Sequence, residues 1–157
     1  MLKKSLRSGF SFGLTSGIIT TLGLIVGLNE GTSSRVAILG GILTIAIADA
    51  FSDAFGILTS QEAENHTLKQ AVYAMISTFI AKFTFALSFI IPVAMFELST
   101  AMIISVVWAY VALTGLAILL SRVENKPLSK IVLSHWAITT IVIIATYISG
   151  KLIATIF

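Results

Sequence analysis

The feature that most constrains this chain is a series of five long apolar segments separated by short polar turns. They cover about residues 9–28, 36–60, 71–96, 101–120 and 131–156, and each approaches or exceeds the roughly 20 residues needed to cross about 30 Å of hydrocarbon. Of the 157 residues, 57% are hydrophobic and only 11% are charged, so a water-soluble fold could not cover its apolar surface. The sequence therefore predicts an all-α polytopic membrane protein with five transmembrane helices and a single domain over residues 1–157.

The positions of the basic residues predict how this protein is oriented. Cytoplasmic loops of membrane proteins are enriched in Lys and Arg. With the amino terminus inside, the outer segments carry only Arg35 and Lys151. The inner segments carry seven basic residues, which are Lys3, Lys4, Arg7, Lys69, Arg122, Lys126 and Lys130. We therefore expect the amino terminus inside and the carboxyl terminus outside, and basic residues at helix ends give no indication of a nucleic-acid partner. The compact size and the lack of a recognisable targeting sequence favour a prokaryotic plasma membrane.

Three charged residues fall inside the predicted spans, namely Asp49, Asp53 and Lys82. A charge near the middle of a bilayer costs at least about 2.5–3.5 kcal/mol, so it usually serves function or forms a buried pair. Asp49 and Asp53 are one helical turn apart, which puts both side chains on one face of span two, with Cβ atoms about 6 Å apart. We expect this face to point into protein or water.

Span two accordingly has an acidic side and a lipid side. On the acidic side we expect small, polar and a few apolar residues, which are Ile42, Ile45, Ala46, Ser52, Gly56 and Ser60. On the lipid side we expect mostly large apolar residues, which are Leu43, Ile47, Phe51, Ala54, Phe55 and Leu58.

Span one offers a surface on which another helix could pack closely. Its glycines recur every four residues, a spacing that lets helix backbones approach each other, at Gly9, Gly13 and Gly17. Ser16 and Thr20 lie on or near this stripe. Counting residues from the inner ends of the spans puts Ser16 level with Asp53, and Thr20 level with Asp49.

These oxygen atoms indicate a site for a hard or borderline divalent cation. Two like charges this close repel each other, so we expect the acidic pair to share a proton that a bound cation would release. This is a physical basis for metal–proton exchange. The predicted metal ligands are Asp49, Asp53, Ser16, Thr20 and Ser52 within the membrane, with Glu62 and Glu64 at the cytoplasmic mouth.

Other hypotheses compete with this one. Lys82 lies at a similar depth in span three and could neutralise one aspartate, in which case the protein is a non-transporting membrane scaffold or assembly factor. A transporter of a small organic cation is another possibility. An intramembrane aspartyl protease is disfavoured, because both acids lie on one helix and no Gly-x-Gly-Asp sequence occurs. We expect no enzymatic activity and no resident cofactor.

Residues 13–28 of span one, with the sequence GLTSGIITTLGLIVGL, resemble the first span of the vacuolar iron transporter family. Span two resembles it as well, since it carries glycines and ends in Ser60 and Gln61 followed by acids. Span three has Pro92 where the family has a proline, a residue that kinks or ends a helix. Five spans also fit the family, and the resemblance covers nearly the whole chain.

The resemblance implies exchange of ferrous or manganous ions for protons, by a homodimer whose pore is built from spans one and two of both chains. The family's own ligands are absent, however. Ser16 stands where the family has an aspartate, and Ala50 and Ala54 stand where it has a methionine and a glutamate. The cytoplasmic metal-binding insertion between spans two and three is also missing. Asp49 and Asp53 each precede a missing ligand by one residue, a shift that rotates a side chain by about 100°.

Overall fold

The computed structural model describes residues 2–157, apart from the side chain of Glu124, and over this part of the chain it contains five long helices and no strand. All five are long and apolar enough to cross a membrane, which confirms the prediction of an all-α chain with five such helices. They are α1 at Leu2–Thr32, α2 at Arg35–Ala63, α3 at Leu68–Met95, α4 at Leu98–Glu124 and α5 at Leu128–Ile156.

Polar residues in the short turns set where these helices begin and end. The Ser34 hydroxyl accepts a hydrogen bond from the Ala37 N–H and caps the start of α2. Thr67 and Gln70 form a reciprocal capping box at the start of α3. Such caps satisfy backbone N–H groups that have no partner within the helix. Helix α4 ends at Asn125, which adopts the left-handed conformation that asparagine tolerates (φ 52°).

Helix α3 is interrupted near its end, as the position of Pro92 predicts. The regular helix stops at Ser88, and a second short helical piece runs over Ile90–Met95. A proline ring clashes with the carbonyl four residues earlier, which here belongs to Ser88. The Ser88 hydroxyl accepts a hydrogen bond from the indole N–H of Trp108 at 2.9 Å, so α4 braces α3 at the interruption.

Helix α1 is the central element of the fold. It packs against α3 along its amino-terminal half and against α5 along its carboxyl-terminal half, and it also contacts α2 and α4. Its apolar residues form the core with residues from α2, α3 and α4, and the members include Ile18, Leu22, Ile38, Phe89 and Leu113. Helix α5 is peripheral, with only Thr139 and Gly150 buried.

Helix α2 contains a π-helical turn at Ile45–Asp49, where the Ala50 N–H donates to the Ile45 carbonyl five residues earlier. In an α-helix, a residue four positions further along is rotated by about 40° around the helix axis. The wider π turn rotates the following residues back and cancels part of this displacement. Rows of residues four apart therefore stay aligned. One such row is buried along the length of the helix and consists of Ile38, Ile42, Ala46, Ala50 and Ala54.

The π turn also explains an error in the predicted faces of α2. Leu43, Ile47, Phe51 and Phe55 are exposed, in agreement with a lipid-facing side. Ala54 was assigned to that side, but it is only 4% exposed and lies in the buried row. A helical wheel with a constant 100° per residue cannot anticipate such a rotation.

Candidate functional site

The centre of the molecule contains a lysine whose side chain is completely buried. The Lys82 ammonium group lies 2.6 Å from a carboxylate oxygen of Asp49 and also contacts a carboxylate oxygen of Asp53. It donates a hydrogen bond to the Ser16 hydroxyl at 2.9 Å, and that hydroxyl donates to Asp53 at 2.6 Å. Side chains from α1, α2 and α3 thus form one connected polar group, which we call the aspartate–lysine site.

The aspartate–lysine site is buried unevenly. The Lys82 side chain has no exposed surface, whereas the side chains of Asp53 and Asp49 are 21% and 34% exposed. The exposed carboxylate surface lies on the flank of α2 that no other helix of this chain covers. A charge facing hydrocarbon is costly, so this flank is suited to face protein or water.

Close packing of α1 on α3 brings Lys82 to this position. A Cβ atom on Gly9 or Gly13 would overlap the carbonyl oxygen of Ala74 or Thr78. A Cβ atom on Gly17 would lie 3.0 Å from the carbonyl oxygen of Lys82. Glycine at these three positions lets the two backbones touch, and Ser16, next to Gly17, thereby reaches the ammonium group.

The structure separates the other predicted ligands from this centre. The Thr20 hydroxyl donates to the Ser16 carbonyl of its own helix at 2.8 Å. Ser52 is exposed on the open flank of α2. Glu62 is exposed at the end of α2, and Glu64 lies 3.5 Å from His66 in the turn that follows. Of the predicted residues, Asp49, Asp53, Ser16 and Lys82 meet, while Thr20, Ser52, Glu62 and Glu64 lie outside the site.

A polar cavity of about 580 Å³ opens near the start of α1 and the turn between α2 and α3. Residues from all three helices line it, including Ser8, Gln61, Glu64, His66 and Gln70. Gln61 follows Asp53 by eight residues, or about 12 Å along a helix. The cavity and the aspartate–lysine site therefore both lie where α1, α2 and α3 meet, but at different depths along these helices.

Carboxylate and hydroxyl oxygens of this kind can hold either a metal ion or an ammonium group. Among residues 2–157, no three acidic or histidine side chains come together as a metal site of their own. The ammonium of Lys82 occupies the space between the two carboxylates, where a cation would otherwise bind. When both carboxylates are ionised, the single ammonium group neutralises only one of them. A proton or a second cation can neutralise the remaining negative charge.

Sequence reasoning found only part of a row of small residues that runs beside the two aspartates, since it placed Ser52, Gly56 and Ser60 on the acidic side but not the other three members. All are exposed and four apart, and they are Gly40, Thr44, Ala48, Ser52, Gly56 and Ser60. A Cβ atom added to Gly40 or Gly56 would meet no atom within 4 Å. No contact within the chain therefore explains these glycines. The spacing of four is visible in the sequence, but the π turn decides that the row remains straight.

Comparisons with protein-family models, with curated proteins and with solved structures return no match for this chain. The fold and site together describe an all-helical protein with five potential membrane spans and an ionic group buried between three of them.

Proposed function

We propose that this protein transports divalent transition-metal cations of the Fe²⁺ or Mn²⁺ type across a membrane, in exchange for protons, as a homodimer whose pore is lined by α1 and α2. The observation that carries the proposal is that two partly buried aspartates share a single, fully buried lysine. A structural ion pair needs only one carboxylate. The second adds a desolvation cost that a transported cation or a proton would offset.

The charge of the aspartate–lysine site fits exchange of one divalent cation for two protons. With both acids ionised, each chain has one uncompensated negative charge, and two chains together match one divalent cation. With one proton bound in each chain, the two sites are neutral without metal. Either state avoids net charge in the low-dielectric interior, where isolated charges are expensive.

The exposed row of small residues on α2 supports a homodimer. Rows of small residues let membrane helices approach closely, and Gly40 and Gly56 have no neighbour within the chain that would require glycine. The row runs beside Asp49 and Asp53, whose carboxylates are partly exposed on the same flank. A second copy packed along this row would shield the carboxylates from lipid and would bring four of them together.

The polar cavity near Gln61 supports a route for ions between the aspartate–lysine site and the predicted cytoplasmic side. Glu64 and His66 at its wall provide oxygen and nitrogen ligands that suit a borderline divalent cation. From this cavity an ion would reach Asp53 first. It would then compete with the Lys82 ammonium for the carboxylate oxygens, because both cations require the same ligands.

The resemblance of span one to the vacuolar iron transporter family supports iron or manganese as the substrate. The oxygen-only donors of the aspartate–lysine site, which are Asp49, Asp53 and Ser16, suit manganous ion at least as well as ferrous ion. The amino-terminus-in orientation remains a prediction from loop charge, and the prokaryotic plasma membrane remains a separate prediction from the sequence.

The other function that an observation favours is a non-transporting scaffold. Lys82 contacts both carboxylates, so the ionic group could serve only to hold α1, α2 and α3 together. In that case the excess acid would be permanently protonated, and no ion would exchange with the site.

Flux measurements distinguish the two functions. Purified protein is reconstituted in proteoliposomes that contain a metal-sensitive dye and a pH-sensitive dye, and Mn²⁺ is added outside. We expect the wild type to move Mn²⁺ inward and protons outward, Asp53→Asn to lose at least tenfold in rate, and Asp49→Asn to be slower than the wild type. The matched control is Glu97→Gln, which removes an exposed carboxylate from the turn before α4.

Unchanged Mn²⁺ flux in both aspartate variants would remove the proposed site. Absence of flux in the wild type, together with mutual rescue of stability by Asp49→Asn and Lys82→Met, would instead establish the scaffold.

A further inference from the structure

A second cavity, of about 260 Å³, opens beside the amino-terminal end of α1 and is distinct from the aspartate–lysine site. Four of its lining residues come from two turns of α1, at successive spacings of three, one and three residues that put them on one face, and one comes from α4. They are Lys4, Arg7, Ser8 and Ser11, with Leu120 on α4. We call this the basic cavity.

The basic cavity concentrates positive charge that the rest of the described chain does not neutralise. The ion pairs among the described side chains are those of Lys82 and His66, so neither Lys4 nor Arg7 is paired with a described carboxylate. Glu64 lines the neighbouring polar cavity, which shares Lys4 and Ser8 with this one, but Glu64 does not line the basic cavity. Two adjacent basic side chains repel each other unless an anion lies between them.

Ser11 provides an independent observation. Its hydroxyl oxygen is buried and has no hydrogen-bond partner, whereas Thr20 on the same helix donates to a carbonyl one turn earlier. Leaving a buried hydroxyl without a partner costs about 1–3 kcal/mol. A ligand oxygen in the basic cavity would accept a hydrogen bond from Ser8, and rotation of the Ser11 side chain about χ1 would turn its hydroxyl towards the same ligand.

We propose that the basic cavity binds the phosphate group of an anionic phospholipid. Phosphate oxygens suit a site with one guanidinium, one ammonium and two hydroxyls, because Arg binds phosphate through two parallel hydrogen bonds and Lys adds a point charge. The Leu120 side chain in the cavity wall offers apolar surface for an acyl chain. Clusters of basic residues at the end of a membrane helix commonly recruit anionic lipid.

This site is independent of transport and of the aspartate–lysine site. Native mass spectrometry of the full-length protein in detergent tests it, with three added probes: a phosphatidylglycerol, a phosphatidylcholine of the same acyl chains, and inorganic phosphate. We expect one phosphatidylglycerol retained per chain, with little retention of phosphatidylcholine. Each basic residue contributes about fivefold to affinity, so the double variant Lys4→Gln/Arg7→Gln should bind about 25-fold more weakly, and Ser11→Ala should bind severalfold more weakly.

The matched control is Lys3→Gln/Lys69→Gln, which removes the same charge from exposed residues of the same predicted membrane side that do not line the cavity. Retention of phosphatidylglycerol by this control supports the basic cavity. Equal losses in the two double variants would overturn the proposal in favour of diffuse surface charge. Equal affinity for inorganic phosphate and phosphatidylglycerol would overturn the assignment to a lipid. Size-exclusion profiles matching the wild type confirm that each variant is folded.

Discussion

The two halves of α1 carry glycines at the same spacing but use them differently. In the amino-terminal half, Gly9 and Gly13 face backbone carbonyls of α3, where a Cβ atom has no room. In the carboxyl-terminal half, a Cβ atom on Gly27 would lie 3.5 Å from the nearest atom of α5, an ordinary contact distance. On that side the tightest position is on the partner helix, since a Cβ atom on Gly150 would overlap the Gly27 carbonyl oxygen, whereas a Cβ atom on Gly23 would meet a methyl group of the Val142 side chain at 2.8 Å.

The two halves also differ in what their packing holds. The amino-terminal half of α1 lies against the helix that carries Lys82, and its Ser16 joins the aspartate–lysine site. The carboxyl-terminal half faces the uncharged side chains of Val142 and Thr146. A glycine repeat therefore indicates close packing, but only the neighbouring helix decides whether the packing positions a functional group.

Removing the charge of Lys82, which lies on α3 against the amino-terminal half of α1, should have the largest effect on stability. Lys82→Met leaves two carboxylates without their cation, and breaking a buried ion pair in this way costs about 3–5 kcal/mol. We expect the detergent-solubilised variant to unfold at markedly lower denaturant concentration, as followed by circular dichroism. Adding Asp49→Asn to the same chain should restore part of the loss. A Lys82→Met variant as stable as the wild type would show that the ionic group does not hold the three helices together.

Gly13→Ala should have the next largest effect. The added methyl group overlaps the Thr78 carbonyl oxygen, so α1 must move away from α3, at a cost of about 1–3 kcal/mol. The same displacement should weaken the Ser16–Lys82 contact and slow Mn²⁺ flux in proteoliposomes. Thermal unfolding and flux measured on one preparation check both effects. A stable variant with normal flux would indicate that the backbones are not in contact here.

Gly56→Leu tests a third kind of glycine, one with no neighbour at all. No atom of the single chain lies within 4 Å of a Cβ atom added to Gly56. We therefore expect the free energy of unfolding of the isolated chain to change by less than about 0.5 kcal/mol. The proposed dimer should dissociate at least tenfold more readily in this variant, as measured by light scattering over a dilution series in detergent. Gly115→Leu is the matched control, since Gly115 is equally open but lies on α4, away from the row of small residues. Equal dissociation in both variants would contradict a dimer through α2.

Gly27→Ala should have the smallest effect on stability, and it tests the carboxyl-terminal half of α1 against the amino-terminal half. The added methyl group meets Thr146 atoms at 3.5–3.6 Å, and alanine is the better helix former. We expect a melting temperature equal to or slightly above that of the wild type, measured beside Gly13→Ala. A large loss of stability would show that the carboxyl-terminal half of α1 packs as tightly as the amino-terminal half.

Much of this architecture follows from local sequence. Five apolar segments predict five long helices, because in hydrocarbon the backbone must satisfy its own hydrogen bonds. Pro92 predicts the interruption of α3, which falls at the residue whose carbonyl the ring would strike. Counting residues along the helices placed Ser16 beside Asp53, and their side chains are hydrogen-bonded.

The rest depended on how the helices pack. Depth counting also paired Thr20 with Asp49, but the Thr20 hydroxyl bonds to its own helix, a choice that residue spacing cannot reveal. The π turn in α2 changed which face Ala54 occupies, since one extra residue in a turn rotates everything beyond it.

By itself, the sequence determined that the chain is helical and apolar enough to cross a membrane, and that two acids and a lysine would lie within its spans, because hydropathy and residue spacing act locally along each helix. Only the tertiary structure decided that one ammonium contacts both acids and that a row of small residues remains uncovered beside them. Those features depend on how far one helix is rotated against another, and that rotation is set by contacts between residues distant in the chain.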